Sequence, residues 1–214
     1  MALESGHRLV PKAVVFLLAI SAVVAGGALF IGCSSGSSDS TQSPGGGSQT
    51  PGAVEPEKNP PGDIPDDQAF VAYHSDAGGY TVDVPEGWAR TESGSNVSFV
   101  DKLDSIAVEI TASAEAPTVD SVEANEVPQL TGEVEAFEKV EVKALDLPAG
   151  KAVRIRYRAN SAPDSVTGKK VRLEIDRFEL FKDGKLAVIS LSAPAGSDNV
   201  DVWEQISSSF KWAP

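Results

Sequence analysis

Residues 69–214 predict a strand-dominated α+β domain, on three observations. Apolar and polar side chains alternate with a period of two in segment after segment. Short turn signatures separate several of these segments closely enough to make hairpins. Only two stretches carry a helical period, and one of them ends the chain.

Phe70 opens this region, and His74 falls near its first strand. Tyr80, Val82 and Val84 alternate with Thr81 and Asp83, after which Pro85-Glu86-Gly87 turns the chain into Trp88. Val97 and Phe99, then Ile106, Val108 and Ile110, repeat the two-residue period around a turn at Asp101–Asp104. Thr118 is placed to cap a short helix that carries Val119 and Val122 and ends before Pro128, because a residue preceding proline avoids helical geometry. Val140 and Val142, then Val153, Ile155 and Tyr157, give two more strands. Val171, Leu173 and Ile175 begin another, which Phe178 and Leu180 continue out of phase; this predicts a β-bulge near Asp176-Arg177. Lys182-Asp183-Gly184 is a hairpin turn into Leu186–Leu191, a strand apolar at consecutive positions, as in a strand covered on both faces. In the final helix, capped by Ser197 or Asp198, Trp203, Ile206 and Phe210 fall at i, i+3 and i+7 on one face. Acidic Asp198, Asp201 and Glu204 near its start and Lys211 at its end suit the helix dipole. The aromatic stripe reads as core packing.

The first 33 residues read as a targeting segment. Arg8 and Lys12 precede an uncharged apolar run from Ala13 to Ile31, an arrangement that holds the basic end inside while the following chain crosses the membrane. Phe30-Ile31-Gly32-Cys33 resembles the bacterial lipobox, with Phe30 where Leu is usual. That resemblance implies a diacylglyceryl thioether on Cys33, the small Gly32 fitting the peptidase. The run also just reaches spanning length, so an uncut transmembrane anchor is the alternative. Either way the remainder is expected on the extracytoplasmic side of a cell membrane. Cys33 is the only cysteine among 214 residues, so no intramolecular disulfide forms.

Residues 34–68 read as a disordered tether rich in Ser, Gly and Pro, with Val54 and Ile64 the only large aliphatics, too few to offset ordering entropy. Residues 69–214 then form one domain of ordinary size. The net charge is −13; Glu4, Arg8 and Lys12 sum to +1 in the first 33 residues, which leaves −14 for the rest. So acidic a chain repels phosphate backbones, and no nucleic-acid partner is expected.

Tyr80–Trp88, reading Tyr-Thr-Val-Asp-Val-Pro-Glu-Gly-Trp, resembles the opening of the PsbP/Mog1-like superfamily domain, and Val202–Phe210 resembles the helix that closes that fold. The whole layout of signal, lipobox, tether and one domain resembles actinobacterial lipoproteins of the LpqN type. The resemblance implies an antiparallel β-sheet flanked by helices, an α/β/α sandwich. It also implies an adaptor or assembly role, and it carries over no catalytic or metal-binding residue.

The residues themselves point away from an enzyme. His7 and His74 are the only histidines and His7 lies in the targeting segment, so a Ser-His-Asp set would depend on His74 alone. No G-x-S-x-G elbow, zinc ligand set or phosphate-cradling loop occurs, and no cofactor or metal is implied. The most conspicuous polar feature is Arg154, Arg156 and Arg158, which alternation places on one sheet face. They read either as a contact for an anion or acidic partner, or as cross-strand partners of acids at Glu174 and Asp176. The expectation is therefore a membrane-anchored, non-enzymatic binding or assembly module of the cell envelope with an envelope protein as partner. The alternatives are a small-ligand carrier with a pocket between sheet and helix, lined among Trp88, Phe99 and Phe137, and, further off, a hydrolase.

Overall fold

A computed structural model describes residues 62–214; Cys33, the targeting segment and most of the expected tether lie outside the described residues. In chain order the strands are β1 (Phe70–Ser75), β2 (Tyr80–Pro85), β3 (Ala89–Ser93), β4 (Asn96–Asp101) and β5 (Asp104–Ala112). A helical segment follows: α1 (Val119–Ser121), a π-helical turn (Val122–Glu126) and α2 (Val127–Glu133). Then come β6 (Glu138–Leu147), β7 (Gly150–Asn160), β8 (Arg172–Lys182), β9 (Lys185–Pro194), α3 (Val200–Ser209) and β10 (Lys211–Trp212). One sheet has three strands in the order β1-β2-β10, the other seven in the order β3-β4-β5-β9-β8-β7-β6, and every pairing is antiparallel. This is the α+β architecture that the sequence predicts.

Residues directly opposite each other in an antiparallel ladder share a face, so the register sorts the seven-stranded sheet into two sides. Phe99, Ile106, Leu191, Asp176, Arg156 and Glu141 form one row across the first face. Ser98, Ala107, Ser190, Arg177, Ile155 and Val142 form the matching row on the second. On the first face, α3 and β2 bury Trp203, Ile206, Phe210, Tyr80, Val82 and Val84 against Phe99, Ile106, Val108, Ile189 and Leu191. On the second, Val122 and Leu130 of the helical segment pack on Val153, Ile155, Tyr157 and Ile175. Each cover lies over a different part of the sheet. Among the described residues the arginine strip of β7 lies at the edge of the α3 cover on the first face, and no helix lies over β3 to β5 on the second.

This offset explains the change of phase in β8. Its register against β7 and β9 runs unbroken, so the bulge expected near Asp176-Arg177 is absent. Leu173 and Ile175 point to the helical segment and Phe178 and Leu180 to the α3 core, because the strand passes from one core to the other. The register shift lies in β6 instead, between Lys139 and Glu141.

Thr118 does cap the first helix, exchanging hydrogen bonds with Ser121 in a capping box. The helix does not stop before Pro128. A π-helical turn intervenes, in which the Val127 N–H donates to the Val122 carbonyl, and Pro128 then sits in the first turn of α2, directly after that wider turn. The last helix starts from Asn199 rather than from Ser197 or Asp198. The Asn199 amide is used elsewhere: its Oδ1 accepts from the Ile64 N–H at 2.8 Å and its Nδ2 donates to the Gly62 carbonyl at 2.8 Å. Asp63 accepts from the Asp198 N–H at 2.9 Å. These bonds bring Ile64, which composition assigns to the tether, into the core. Gly62 is required there, with φ at +94° and room for no Cβ, which would stand 2.5 Å from the Pro194 ring.

Candidate functional site

Arg154, Arg156 and Arg158 do share one face of β7, at the edge of the α3 cover on the first face. The register sets Arg156 opposite Asp176 and Arg158 opposite Glu174. Arg156 grips Asp176 with two parallel bonds, Nε to Oδ1 and Nη2 to Oδ2, both 2.7 Å, and the Asp176 side chain is only 3% exposed. Arg158 donates to Glu174 at 2.9 Å and lies 3.6 Å from Glu138, which also accepts from Arg172 at 2.7 Å. Arg154 pairs with Glu141 across to β6. The hydrogen bond from Arg154 holds the Glu141 carboxyl below its usual range, and the bond to Asp176 raises the Arg156 guanidinium further above its own. All three guanidinium groups therefore face a carboxylate, and an incoming anion meets a charge-balanced ladder.

The uncovered part of the second face is a different kind of surface. An open depression of about 90 Å³ lies over β3, β4 and β5, lined by Thr91, Ser93, Asn96, Ser98, Ala107 and Glu109. Small side chains at Ser98 and Ala107 make its floor because two facing positions of adjacent strands carry almost no bulk. Asn96 is fixed at one end, its Oδ1 accepting from the Ile110 N–H at 3.0 Å. Glu109 stands at that same end, since Val97 pairs with Val108 and the next step of the ladder brings Asn96 beside Glu109; its carboxyl is pushed up by burial and pulled back by Arg177. Toward the helical segment, Arg177 donates to Glu179 at 3.2 Å and lies 3.6 Å from Glu126, which the π-helical turn brings over the sheet. Glu179 is 2% exposed, and burial raises its carboxyl with Arg177 opposing. One guanidinium thus serves a neighbourhood of three carboxylates.

A further carboxyl stands apart. Asp104, the first residue of β5, is buried with its Oδ1 unpartnered. Burial, with Asp101 and Asp63 adding and Lys102 opposing, pushes it up to about 7.

His74 stays at the exposed edge of the small sheet, its Nδ1 3.0 Å from the Thr81 hydroxyl. Among the described residues Trp88, Phe99 and Phe137 line no common pocket: Phe99 and Trp88 belong to the α3 core, whereas Phe137 packs at a tilt on Tyr157, their ring centres 5.2 Å apart, on the opposite face. Among the described residues no group of three His, Cys, Asp or Glu side chains is arranged to hold a metal ion. Sequence reasoning missed Glu109, Arg177, Glu179 and Asp104. Glu179 alone left a signal, as a carboxylate between Phe178 and Leu180 in an apolar strand.

No protein-family model matches the chain, and no curated protein matches it. Solved structures do. Cyanobacterial PsbP (CyanoP) from Synechocystis is similar over 71% of this chain and 98% of its own, at 17% identity and a TM-score of 0.52. The Ran-binding protein Mog1p of Saccharomyces cerevisiae is similar over 68% and 96%, at 11% identity and a TM-score of 0.46. LpqN, involved in cell envelope biogenesis of Mycobacterium tuberculosis, is similar over 70% and 93%, at 16% identity and a TM-score of 0.38. The chain has the PsbP/Mog1-like fold, and at these identities the likeness concerns fold alone.

Proposed function

We propose that this chain is an exported lipoprotein whose domain, held at the outer face of a membrane through lipid on Cys33, is a non-enzymatic binding or assembly module of the cell envelope. The N-terminal half of the reading rests on the basic residues before an apolar run, the lipobox-like Ile31-Gly32-Cys33 and a single cysteine at the border between apolar and polar sequence. The binding half rests on one observation, the uncovered sheet face with its shallow depression beside Glu109. A cavity of about 90 Å³ is smaller than the roughly 150 Å³ that holds benzene. It suits the tip of a partner's side chain better than an enclosed ligand, which favours a protein-binding module over a carrier. None of the hydroxyls that line it is hydrogen-bonded to Glu109 among the described residues, so no serine or threonine there is paired with a base in the way acyl transfer requires. In-cell photocrosslinking tests the binding half. A photoreactive residue at Thr91, on the rim, gives a discrete protein adduct on illumination, and one at exposed Lys151, beyond the arginine strip, gives none. Equal adducts from both positions, or none from either, contradict this reading.

A further inference from the structure

We propose that the depression over β3, β4 and β5 receives the ε-ammonium group of a lysine presented by a partner protein, with Glu109 as its counter-charge; this rests on the binding-module reading above. Glu109 is partly buried, yet its carboxylate makes no hydrogen bond or ion pair among the described residues. The cation beside it, Arg177, is already engaged by Glu179 and Glu126. The site therefore holds more negative charge than it neutralises, and a carboxylate that has lost part of its hydration without gaining a partner is stabilised by an incoming cation.

The neighbouring groups favour a primary ammonium. The hydroxyls of Thr91, Ser93 and Ser98 line the same depression, and none makes a hydrogen bond among the described residues. An ammonium has three N–H donors and no acceptor, so one carboxylate and two hydroxyls satisfy it. Its slender stem fits along Ala107, on the floor of the depression. A guanidinium is a broad planar fork that prefers paired acceptors in one plane, and the opening of about 90 Å³ has less room for it. A phosphorylated or acidic partner would set like charges together. The charge of −14 carried by residues 34–214 draws a basic partner from a distance as well.

Zero-length carbodiimide crosslinking of intact cells expressing the full chain tests this. The reagent activates a carboxylate as an O-acylisourea. A lysine amine in contact then displaces the urea and leaves an amide, the water lost being taken up in the urea. Mass spectrometry is expected to find an isopeptide bond between Glu109 and a lysine of another protein. Glu109→Gln, nearly isosteric, abolishes that product. Thr91→Trp, on an exposed edge strand, closes the rim and lowers its yield about tenfold. Thermal melts close to wild type for both variants show that the fold is kept. Protein adducts through other surface carboxylates but never through Glu109, or an unchanged yield in Thr91→Trp, overturn the proposal and leave the binding module standing. A link from Glu109 to Lys58 of this chain, or to a second copy, overturns the partner as occupant. No protein adduct at any carboxylate overturns both readings together.

Discussion

Asp104→Asn isolates an ionisation that works against the fold. Asp104 is 5% exposed, and its Oδ1 has no hydrogen-bond partner. Burial, aided by Asp101 and Asp63 against Lys102, takes its carboxyl from 3.8 to about 7. The folded state therefore holds this proton more tightly than the unfolded chain does, and stability falls as pH rises. The contribution is intact below about pH 4 and is lost progressively through pH 7. At about 1.4 kcal/mol per pH unit the full loss is roughly 4 kcal/mol, and water relaxing around the nearby rim reduces it, leaving about 2–4 kcal/mol. For a domain of this size that is roughly 2–4 °C of melting temperature per kcal/mol. Urea melts of wild type and Asp104→Asn at pH 5 and pH 8.5 read it directly. The variant should lead by about 1–2 kcal/mol at pH 5, where the unfolded carboxyl has already ionised, and by about 2–4 kcal/mol at pH 8.5. Glu109 and Glu179, also raised by burial, contribute slopes of the same sign in both proteins and cancel in the difference. Parallel pH profiles for the two proteins would refute the reasoning, since Asp104 would then carry no penalty on ionising.

Trp203→Ala should cost about 3–5 kcal/mol in the same melts, because Trp203 is buried against β2 and the large sheet, whereas exposed Glu204→Ala should change stability by less than about 0.5 kcal/mol. A wild-type melt for Trp203→Ala would end the structural account of α3. In the arginine ladder, Arg156→Ala leaves Asp176 buried without its partner and should destabilise by about 3–5 kcal/mol, while Lys151→Ala, whose pairing with Asp146 is fully open to solvent, should be near neutral. Equal small effects would mean that Arg156 is available to an outside ligand rather than committed to Asp176.

Most strands were legible because an amphipathic strand writes its burial directly into alternation, as Tyr80, Val82 and Val84 do. The pairing of Arg156 and Arg158 with Asp176 and Glu174 was legible for the same reason, since both strands alternate and are near in sequence. β3 left no trace because all five of its residues are exposed, and β10 is only two residues long. The phase change in β8 was visible but ambiguous: one strand crossing between two cores writes the same pattern as a bulge. The depression was hidden for a topological reason. Ser98, Ala107 and Glu109 read as ordinary outward positions, and whether such positions are covered or bare depends on where the helical segment lands, which is over β6 to β8. Asn199 reads as a loop residue, and only the fold shows that it holds the chain's entry at Gly62 and Ile64.

The account stands on attachment through Cys33, and metabolic labelling with an alkyne-bearing fatty acid tests that most directly. Wild type and Cys33→Ser are expressed in the same cells, labelled, conjugated to a fluorophore and separated by size. The account predicts a labelled mature wild-type band and, for Cys33→Ser, an unlabelled band that runs as the larger, uncleaved precursor. Equal label in both proteins, at the same apparent size, would contradict it.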